Sequence, residues 1–315
     1  MEKLKLLSSL GIIINISLMY AAPLIFTSLG GVMSENAGVV NIGLEGMMTM
    51  GAFVGATVGY FTKNPWLAFL AAGLAGGIMA LLHAIASVSL AADQVISGVA
   101  INFLGPGLAL FLSRIFFDGA THTLPIDLNH KMPRPLNGVF AKGSFLDALF
   151  NHYATVYLAF LLALIVWFVL YKTKIGLRIR AVGEHPRAAD TLGVNVFKVK
   201  YLGVIISGIF AGFGGAAMSL AIVSNFRASL VAGQGFIALA AMIFGKWTPQ
   251  GSLAACIFFG FAQGLVVYLG GTNIPVSSQI LAMIPYIITI LVLMGFVGGV
   301  SGPSANGIPY EKQEG

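Results

Sequence analysis

Charged residues are scarce in this chain of 315 residues. Asp, Glu, Lys and Arg together make up 9% of it, whereas soluble domains carry about 25%. The few charges are also clustered, so that long runs such as 6–34, 64–92 and 201–226 contain none. A helix needs about 20 apolar residues to cross the hydrocarbon core of a bilayer. A soluble globular domain is therefore excluded, and an integral membrane protein is predicted.

Alternation of polar and apolar residues is also missing from these runs. A transmembrane β-barrel needs such alternation, so the runs are predicted to be helices, which satisfy their own backbone inside lipid. We predict an all-α fold, a polytopic transmembrane helix bundle that forms one domain over residues 1–315. The predicted spans are nine, at residues 10–30, 38–61, 66–90, 94–117, 153–171, 199–223, 230–246, 250–270 and 279–298.

Motifs for catalysis, metal binding and nucleotide binding are absent as well. The sequence has no GxxxxGK[ST] phosphate loop, no HExxH and no CxxC, so neither a catalytic residue nor a metal ligand is predicted. The GxSG sequence at 299–302 matches that of rhomboid-type proteases, but no histidine follows Ser301 to act as a base. The single cysteine, Cys256, excludes an internal disulfide and is predicted to be a small packing residue.

Two long connections orient the bundle. Loop 172–200 carries seven basic residues, whereas loop 118–152 is mixed in charge. Cytoplasmic loops collect Lys and Arg, so 172–200 is predicted to be cytoplasmic and 118–152 extracytoplasmic. The net charge of +6 is therefore interpreted as a topology signal and not as a nucleic-acid signal. Four predicted spans follow loop 172–200, which predicts a cytoplasmic C-terminus.

The N-terminal side leaves two alternatives. Lys3 and Lys5 favour a cytoplasmic start, yet five predicted spans before a cytoplasmic loop require an outside start. Either the N-terminus lies outside despite its charge, or one crossing is hidden. We favour a broken or re-entrant helix within 28–61, a stretch rich in glycine that also carries Glu45. This interpretation gives ten crossings with both ends in the cytoplasm.

Glycine recurs at four-residue spacing in several spans, which predicts close helix packing. In lipid, such ridges of small residues let helix backbones approach each other. They occur at Gly51-Gly55-Gly59, Gly208-Gly212, Gly260-Gly264 and Gly295-Gly299. A weak internal repeat is also visible, because 45–47 and 234–236 each begin a Gly/Ala-rich helix that ends near a proline.

Glu45 is the acid that lies well inside a predicted span, where a charge costs about 3 kcal/mol or more unless it faces protein or water. Two interpretations stay open: the carboxylate lines a solute pathway, or it pins a broken helix by binding free backbone N–H groups. Uncharged amides at membrane depth suit a neutral, hydroxyl-rich solute better than an ion. The predicted pathway residues are Asn41, Glu45, Gln94, Asn102 and Gln234.

Residues 183–194 form the most informative segment of the basic loop. Pro186 suits a first helical turn and Gly193 suits the position just past a helix end. The short helix between them is predicted to offer Ala188, Ala189 and Leu192 as a small apolar face. A short capped helix in the most basic loop is typical of a docking element, so Ala189→Arg is expected to abolish the activity that depends on docking without affecting membrane insertion.

Three stretches resemble a known family, namely 38–46, 176–193 and 233–245. They are similar to the ABC importer permeases of the ribose and branched-chain amino acid group, which implies a type II importer-like fold. Loop 172–200 then resembles the coupling loop that seats in a groove of the ATPase. The residues that the resemblance assigns to this coupling are Gly183, Glu184, His185, Pro186, Arg187, Ala188, Ala189, Leu192 and Gly193.

The resemblance also implies partners and a location. An ABC ATPase subunit holds ATP–Mg, so this chain itself binds no cofactor. A second permease (a homologous partner, or a second copy of this chain) and an extracytoplasmic substrate-binding protein complete the importer in the bacterial plasma membrane, where the chain contacts lipid and no nucleic acid. Nucleosides are the favoured solutes; the alternatives are a simple sugar, a branched-chain amino acid, or a self-sufficient carrier in which Glu45 binds a coupling proton.

Overall fold

The computed structural model describes residues 2–141, 143–271 and 302–311, together with isolated positions between 277 and 290. Helices dominate these ranges, and within them the one β-type pairing is the bridge between His122 and Arg227. The helices are α1 (Glu2–Asn36), α2 (Leu44–Thr62), α3 (Pro65–Ala84), α4 (Gln94–Phe116), α5 (Phe145–Phe150), α6 (Ala154–Lys172), α7 (Lys174–Glu184), α8 (Pro186–Thr191), α9 (Val196–Ala217), α10 (Gln234–Phe244) and α11 (Pro249–Gly270).

The predicted count of nine spans is too high. Six helices of the described ranges are long and apolar enough to cross a membrane: Leu10–Asn36, Pro65–Ser89, Gln94–Phe116, Ala154–Lys172, Val196–Val223 and Pro249–Gly270. The predicted span 230–246 contains only α10, which has 11 residues. The apolar run there continues through non-helical backbone, which a charge-free stretch cannot reveal. The predicted span 279–298 lies, apart from isolated positions, outside the described residues.

The favoured hidden crossing within 28–61 is also wrong. This stretch holds the end of α1, a non-helical break over 37–43, and α2. In the first half of α1, Asn15 Nδ2 donates to Ala148 O of loop 118–152 at 2.8 Å. At its other end, Asn36 lies against Gly183 of the basic loop. The N-terminal end of α1 therefore lies on the 118–152 side of the bundle. This agrees with the other alternative, in which the N-terminus lies outside despite Lys3 and Lys5.

The non-helical break over 37–43 depends on one glycine, Gly38. Gly38 has a φ of +75°, a left-handed conformation that glycine adopts without steric cost. Gly38 N donates to Glu35 O at 3.0 Å and Val39 N to Ser34 O at 3.1 Å. This pair of bonds is the Schellman motif that ends a helix and satisfies its last carbonyl groups. Helix α1 thus stops inside the bundle, and the chain turns into α2.

The predicted glycine ridges are confirmed where the structure describes them. A Cβ atom added at Gly51 would lie under 3.0 Å from the Gly212 backbone, and one added at Gly76 equally close to Gly208 O. Gly260 lies in the same way against Ala21 of α1. Helices α2, α3 and α9 therefore touch backbone to backbone. Cys256 is fully buried and unpaired, as predicted for a packing residue. The pair Gly295-Gly299 lies outside the described residues.

Candidate functional site

Two of the predicted pathway residues hold the break over 37–43 in place. Gln94 Oε1 accepts a hydrogen bond from Val40 N at 2.7 Å. Asn102 Nδ2 donates to Ile42 O at 2.9 Å, and its Oδ1 accepts from Gly46 N at 2.8 Å. Because the backbone groups of the break have no helical partners, α4 supplies the bonds that lipid cannot. Gln94 and Asn102 are thus brought together at the break.

A buried lysine completes these bonds at the end of α1. Lys200 is 2% exposed, and its Nζ donates to Gly38 O at 2.9 Å. The C-terminal end of a helix carries a partial negative charge, which a cation stabilises. The His83 ring lies beside it, with Nε2 3.0 Å from Val40 O and Nδ1 2.9 Å from Ser97 Oγ. His83 is therefore a packed, hydrogen-bonded residue.

Lys200→Met should lower stability measurably, because the methionine leaves Gly38 O and the end of α1 without their cation. A hydrogen bond to a charged group contributes about 1.5–3 kcal/mol, so we expect a clear fall in the thermal unfolding midpoint of the detergent-purified protein. Lys198→Met is the matched control, since Lys198 lies two residues earlier on the same helix and is exposed. Equal midpoints for the two variants would contradict the role given to Lys200.

Asn41 lies in the break itself and is fully buried. Its Nδ2 donates to Ser207 Oγ at 2.9 Å and approaches Met47 Sδ at 3.5 Å. Its Oδ1 has no protein partner among the described residues, and the same is true of Gln94 Nε2. The break therefore combines satisfied backbone with polar side-chain atoms that still have capacity to bind water or a neighbouring polar group.

Glu45 joins two helix N-termini. Its carboxylate accepts hydrogen bonds from Gly233 N and Gly235 N, both at 2.7 Å. Gly233, the residue directly before α10, has a φ of +88° and offers no side chain of its own as a cap. Glu45 also lies in the first turn of α2. Because the N-terminal ends of helices carry partial positive charge and free N–H groups, a carboxylate is stabilised here despite its depth in the bundle.

This geometry is that of the second interpretation of Glu45, a carboxylate that binds free backbone N–H groups. It does not exclude the first, because the side chain is partly exposed. Gln234, the next predicted pathway residue, begins α10, and its Oε1 accepts from Gln263 Nε2 of α11 at 2.9 Å. The two segments of the suggested internal repeat, 45–47 and 234–236, thus meet at their helix starts.

The basic loop contains two helices where one was predicted. Helix α7 is amphipathic: Gly176, Ile179 and Gly183 are buried, whereas Lys174 and Arg178 are exposed. Its Thr173 cap accepts from Gly176 N. Helix α8 then begins at Pro186 and ends before Gly193, whose φ is +79°. The prediction of a short capped helix is confirmed.

The apolar face predicted for α8 is divided between its two sides. Ala188 and Leu192 point outward, and Leu192 is 84% exposed. Ala189 is buried in a cluster with Val182 and Val196. The residues differ because Ala188 and Leu192 are four apart and share a helix face, whereas Ala189 is turned by about 100°. Ala189→Arg would therefore disturb packing under α8, and Leu192 is the better position to probe docking.

The C-terminal segment 302–311 lies directly against this loop. Ala305 N donates to Gly183 O at 2.8 Å, and Ser304 Oγ donates to Glu184 Oε2 at 2.8 Å. His185 and Arg187 are exposed beside them. The end of the described chain and the basic loop thus form one surface.

Three residues with central contacts were not singled out from the sequence: Glu35, Lys200 and Trp247. Glu35 is 5% exposed and accepts from Trp247 Nε1 and, at 2.8 Å, from Asn306 Nδ2. Its position directly after the charge-free run 6–34 was the available signal. The charge pattern predicts Lys200 to be a loop cation, whereas it lies in the second turn of the long apolar helix α9. Trp247 has a φ of +53° in the turn from α10 to α11, and no sequence pattern predicts this left-handed conformation.

Comparisons with known proteins give the family. A family model described as the permease component of branched-chain amino acid transport systems matches residues 13–300. The guanosine ABC transporter permease protein NupQ of Bacillus subtilis is 49% identical over 96% of this chain and 97% of its own length. The nucleoside ABC transporter permease protein NupC of Lactococcus lactis is 41% identical over 99% and 100%.

A third relative carries a different solute name. The putative glucose ABC transporter permease protein TsgC13 of Haloferax volcanii is 38% identical over 89% of this chain and 90% of its own length. No solved structure matches the chain. The family match covers most of the chain, and these relatives align with it over 90% or more of their own length. The chain therefore belongs to the family of ABC transporter permeases whose model is described as the permease component of branched-chain amino acid transport systems.

Proposed function

We propose that the chain is the membrane-spanning subunit of a nucleoside importer. The observation that carries this proposal is the full-length similarity to two permeases named for guanosine and nucleosides, at 49% and 41% identity. The half-buried amide of Gln234, at the start of α10 beside Glu45, is in keeping with a neutral solute that carries hydroxyl and amide groups. A simple sugar is the alternative, favoured by the similarity to a permease named for glucose.

The solute is tested with the reconstituted importer. The chain is co-expressed with its ATPase subunit, its second permease and its binding protein, and ATP-dependent uptake of labelled guanosine into liposomes is measured. Excess unlabelled uridine should compete, whereas ribose, glucose and leucine should not. Competition by a sugar alone would favour the alternative, and uptake without ATP would favour a self-sufficient carrier.

The path is proposed to run along the irregular segment 224–233 and the Glu45 junction. This segment starts at the level of the outer loop, where Thr123 Oγ1 accepts from Phe226 N at 2.9 Å, and descends to Glu45 at Gly233. Arg227, Ala228 and Ser229 within it are exposed. Irregular backbone at membrane depth is tolerated only where it faces protein or a water-filled cavity. Broken helices of this kind form solute sites in other transporter folds.

The coupling surface is proposed to be α8 in loop 172–200, facing an ATPase subunit in the cytoplasm. ATP–Mg would bind to that subunit and not to this chain. Loop 118–152 on the opposite side would receive the extracytoplasmic binding protein in the bacterial plasma membrane. The exposed apolar side of α4, which includes Ile96 and Phe103, would meet lipid or an unlike second permease.

Leu192→Arg should uncouple the importer without unfolding it. Because Leu192 projects from α8 and is 84% exposed, arginine costs the fold little but places a charge in the docking contact. We expect at least a tenfold loss of ATPase co-purification and of uptake. Leu128→Arg is the matched control for ATPase co-purification, since Leu128 is 81% exposed in loop 118–152 on the other side. Normal co-purification of the ATPase with Leu192→Arg would contradict docking at α8.

A further inference from the structure

A groove of about 520 Å³ opens between α8 and the C-terminal segment 302–311. The size is sufficient for several side chains of a partner. One wall belongs to the end of α7 and to α8, and the other to the C-terminal segment.

The second wall is fixed and not a loose tail. Tyr310 Oη donates to Asp190 Oδ2 at 2.8 Å at the end of α8. The Tyr310 ring packs edge-on against Phe197 of α9 with centroids 5.6 Å apart, and it contacts the small apolar cluster that contains Ala189. Together with the bonds of Ser304 and Ala305 to Glu184 and Gly183, these contacts hold the segment against α7 and α8.

The groove has an apolar interior and a charged edge. Pro186, Ala188 and Pro309 line it together with Ile308, which is 59% exposed. Arg187 and Glu311 stand on opposite walls. An apolar centre with a polar rim is the usual anatomy of a protein interface, and an exposed isoleucine inside a concave surface is suited to hold an anchoring side chain of the partner.

We propose that segment 302–311 is the second wall of the ATPase docking site, so that the partner inserts an apolar side chain between Ala188 and Ile308. The inference rests on the proposed function, in which the ATPase docks on α8. The ATPase is the occupant that fits, because one wall of the groove is α8 itself and Leu192 continues the same exposed surface. A partner seated there would contact the basic loop and the chain end at once.

Cysteine labelling tests this directly, because the chain's single cysteine is buried at position 256. Ile308→Cys, Leu192→Cys and Leu128→Cys are each made in the full-length chain, purified in lipid nanodiscs with and without the ATPase subunit, and reacted with a maleimide dye. We expect the ATPase to slow labelling at positions 308 and 192 at least tenfold and to leave position 128 unchanged.

The remaining outcomes separate this inference from the proposed function. Protection at position 192 without protection at 308 would overturn the second wall and leave docking on α8 intact. Protection at neither position would overturn both. Slow labelling at 308 in ATPase-free nanodiscs would show that lipid covers the groove, which also overturns the inference. Ile308→Arg, at an exposed position, should in addition reduce ATPase co-purification at least tenfold, and wild-type co-purification would contradict the proposal.

Discussion

Replacing Gly76 by alanine is expected to destabilise the protein by about 3 kcal/mol, although alanine is the better helix former. A Cβ atom at position 76 would lie under 3.0 Å from Gly208 O and from the Gly212 backbone on α9. Real Cβ atoms do not come so close, and the atoms they would meet belong to the backbone of a packed helix. Helices α3 and α9 would have to separate, which removes dispersion contacts along their whole seam.

The matched control is Gly107→Ala in α4, where an added Cβ meets nothing within 4 Å. There the intrinsic gain of up to about 1 kcal/mol from alanine in a helix is unopposed, so this variant should be at least as stable as the wild type. The measurement is the thermal unfolding midpoint of detergent-purified protein, followed by size-exclusion chromatography. If both variants unfold at the wild-type temperature, the close approach of α3 and α9 is wrong.

Glu45→Ala is expected to produce the second large effect. The variant leaves the N–H groups of Gly233 and Gly235 without their acceptor at 2.7 Å. Each unsatisfied N–H costs about 1–3 kcal/mol, so the loss is about 2–6 kcal/mol. The start of α10 should loosen, because its cap comes from α2 and not from a neighbouring residue. We expect a strong fall in folded yield and in the unfolding midpoint, together with loss of uptake.

Glu45→Gln tests how much of this effect comes from the charge of Glu45. The amide keeps one acceptor oxygen but has no charge to interact with the two helix N-termini, so its stability should lie between wild type and Glu45→Ala. A stable Glu45→Ala protein that no longer transports would instead favour the pathway interpretation. Uptake and unfolding are therefore measured on the same purified samples, and the ratio of the two effects decides between the two roles.

Local signals in the sequence predicted the parts of the fold that depend on neighbours in the chain. Pro186 and Gly193 predicted the start and end of α8, and the spacing of Gly51 and Gly55 predicted the close contact with α9. Charge-free stretches gave the membrane-crossing helices but not their number. Helix α10 shows why: an apolar run of sufficient length can contain a half-length helix and an irregular segment.

Long-range contacts were not predictable in the same way. In the sequence, Lys200 looks like one more cation of a basic loop. Its hydrogen bond to Gly38 O, 162 residues earlier in the chain, makes it the buried cap of the end of α1. Glu35 likewise gains its meaning from Trp247 and Asn306. Gln94 and Asn102 are predicted from the sequence as pathway residues, and that role stays a prediction. Their contacts lie with the break of α1 and α2, because a pattern along one helix does not say which backbone needs a partner.

The break over 37–43 has a consequence for biosynthesis. Its polar partners arrive late: Gln94 follows Val40 by 54 residues, and Lys200 follows Gly38 by 162. Until α4 and α9 are in place, Val40 N and Gly38 O lack these partners, and the break, which lies against Gly183 of the basic loop, is held by fewer bonds. The junction of the first two helices can therefore close only after α9 has inserted. A chain interrupted before α9 would therefore lack the cation that binds Gly38 O at the end of α1.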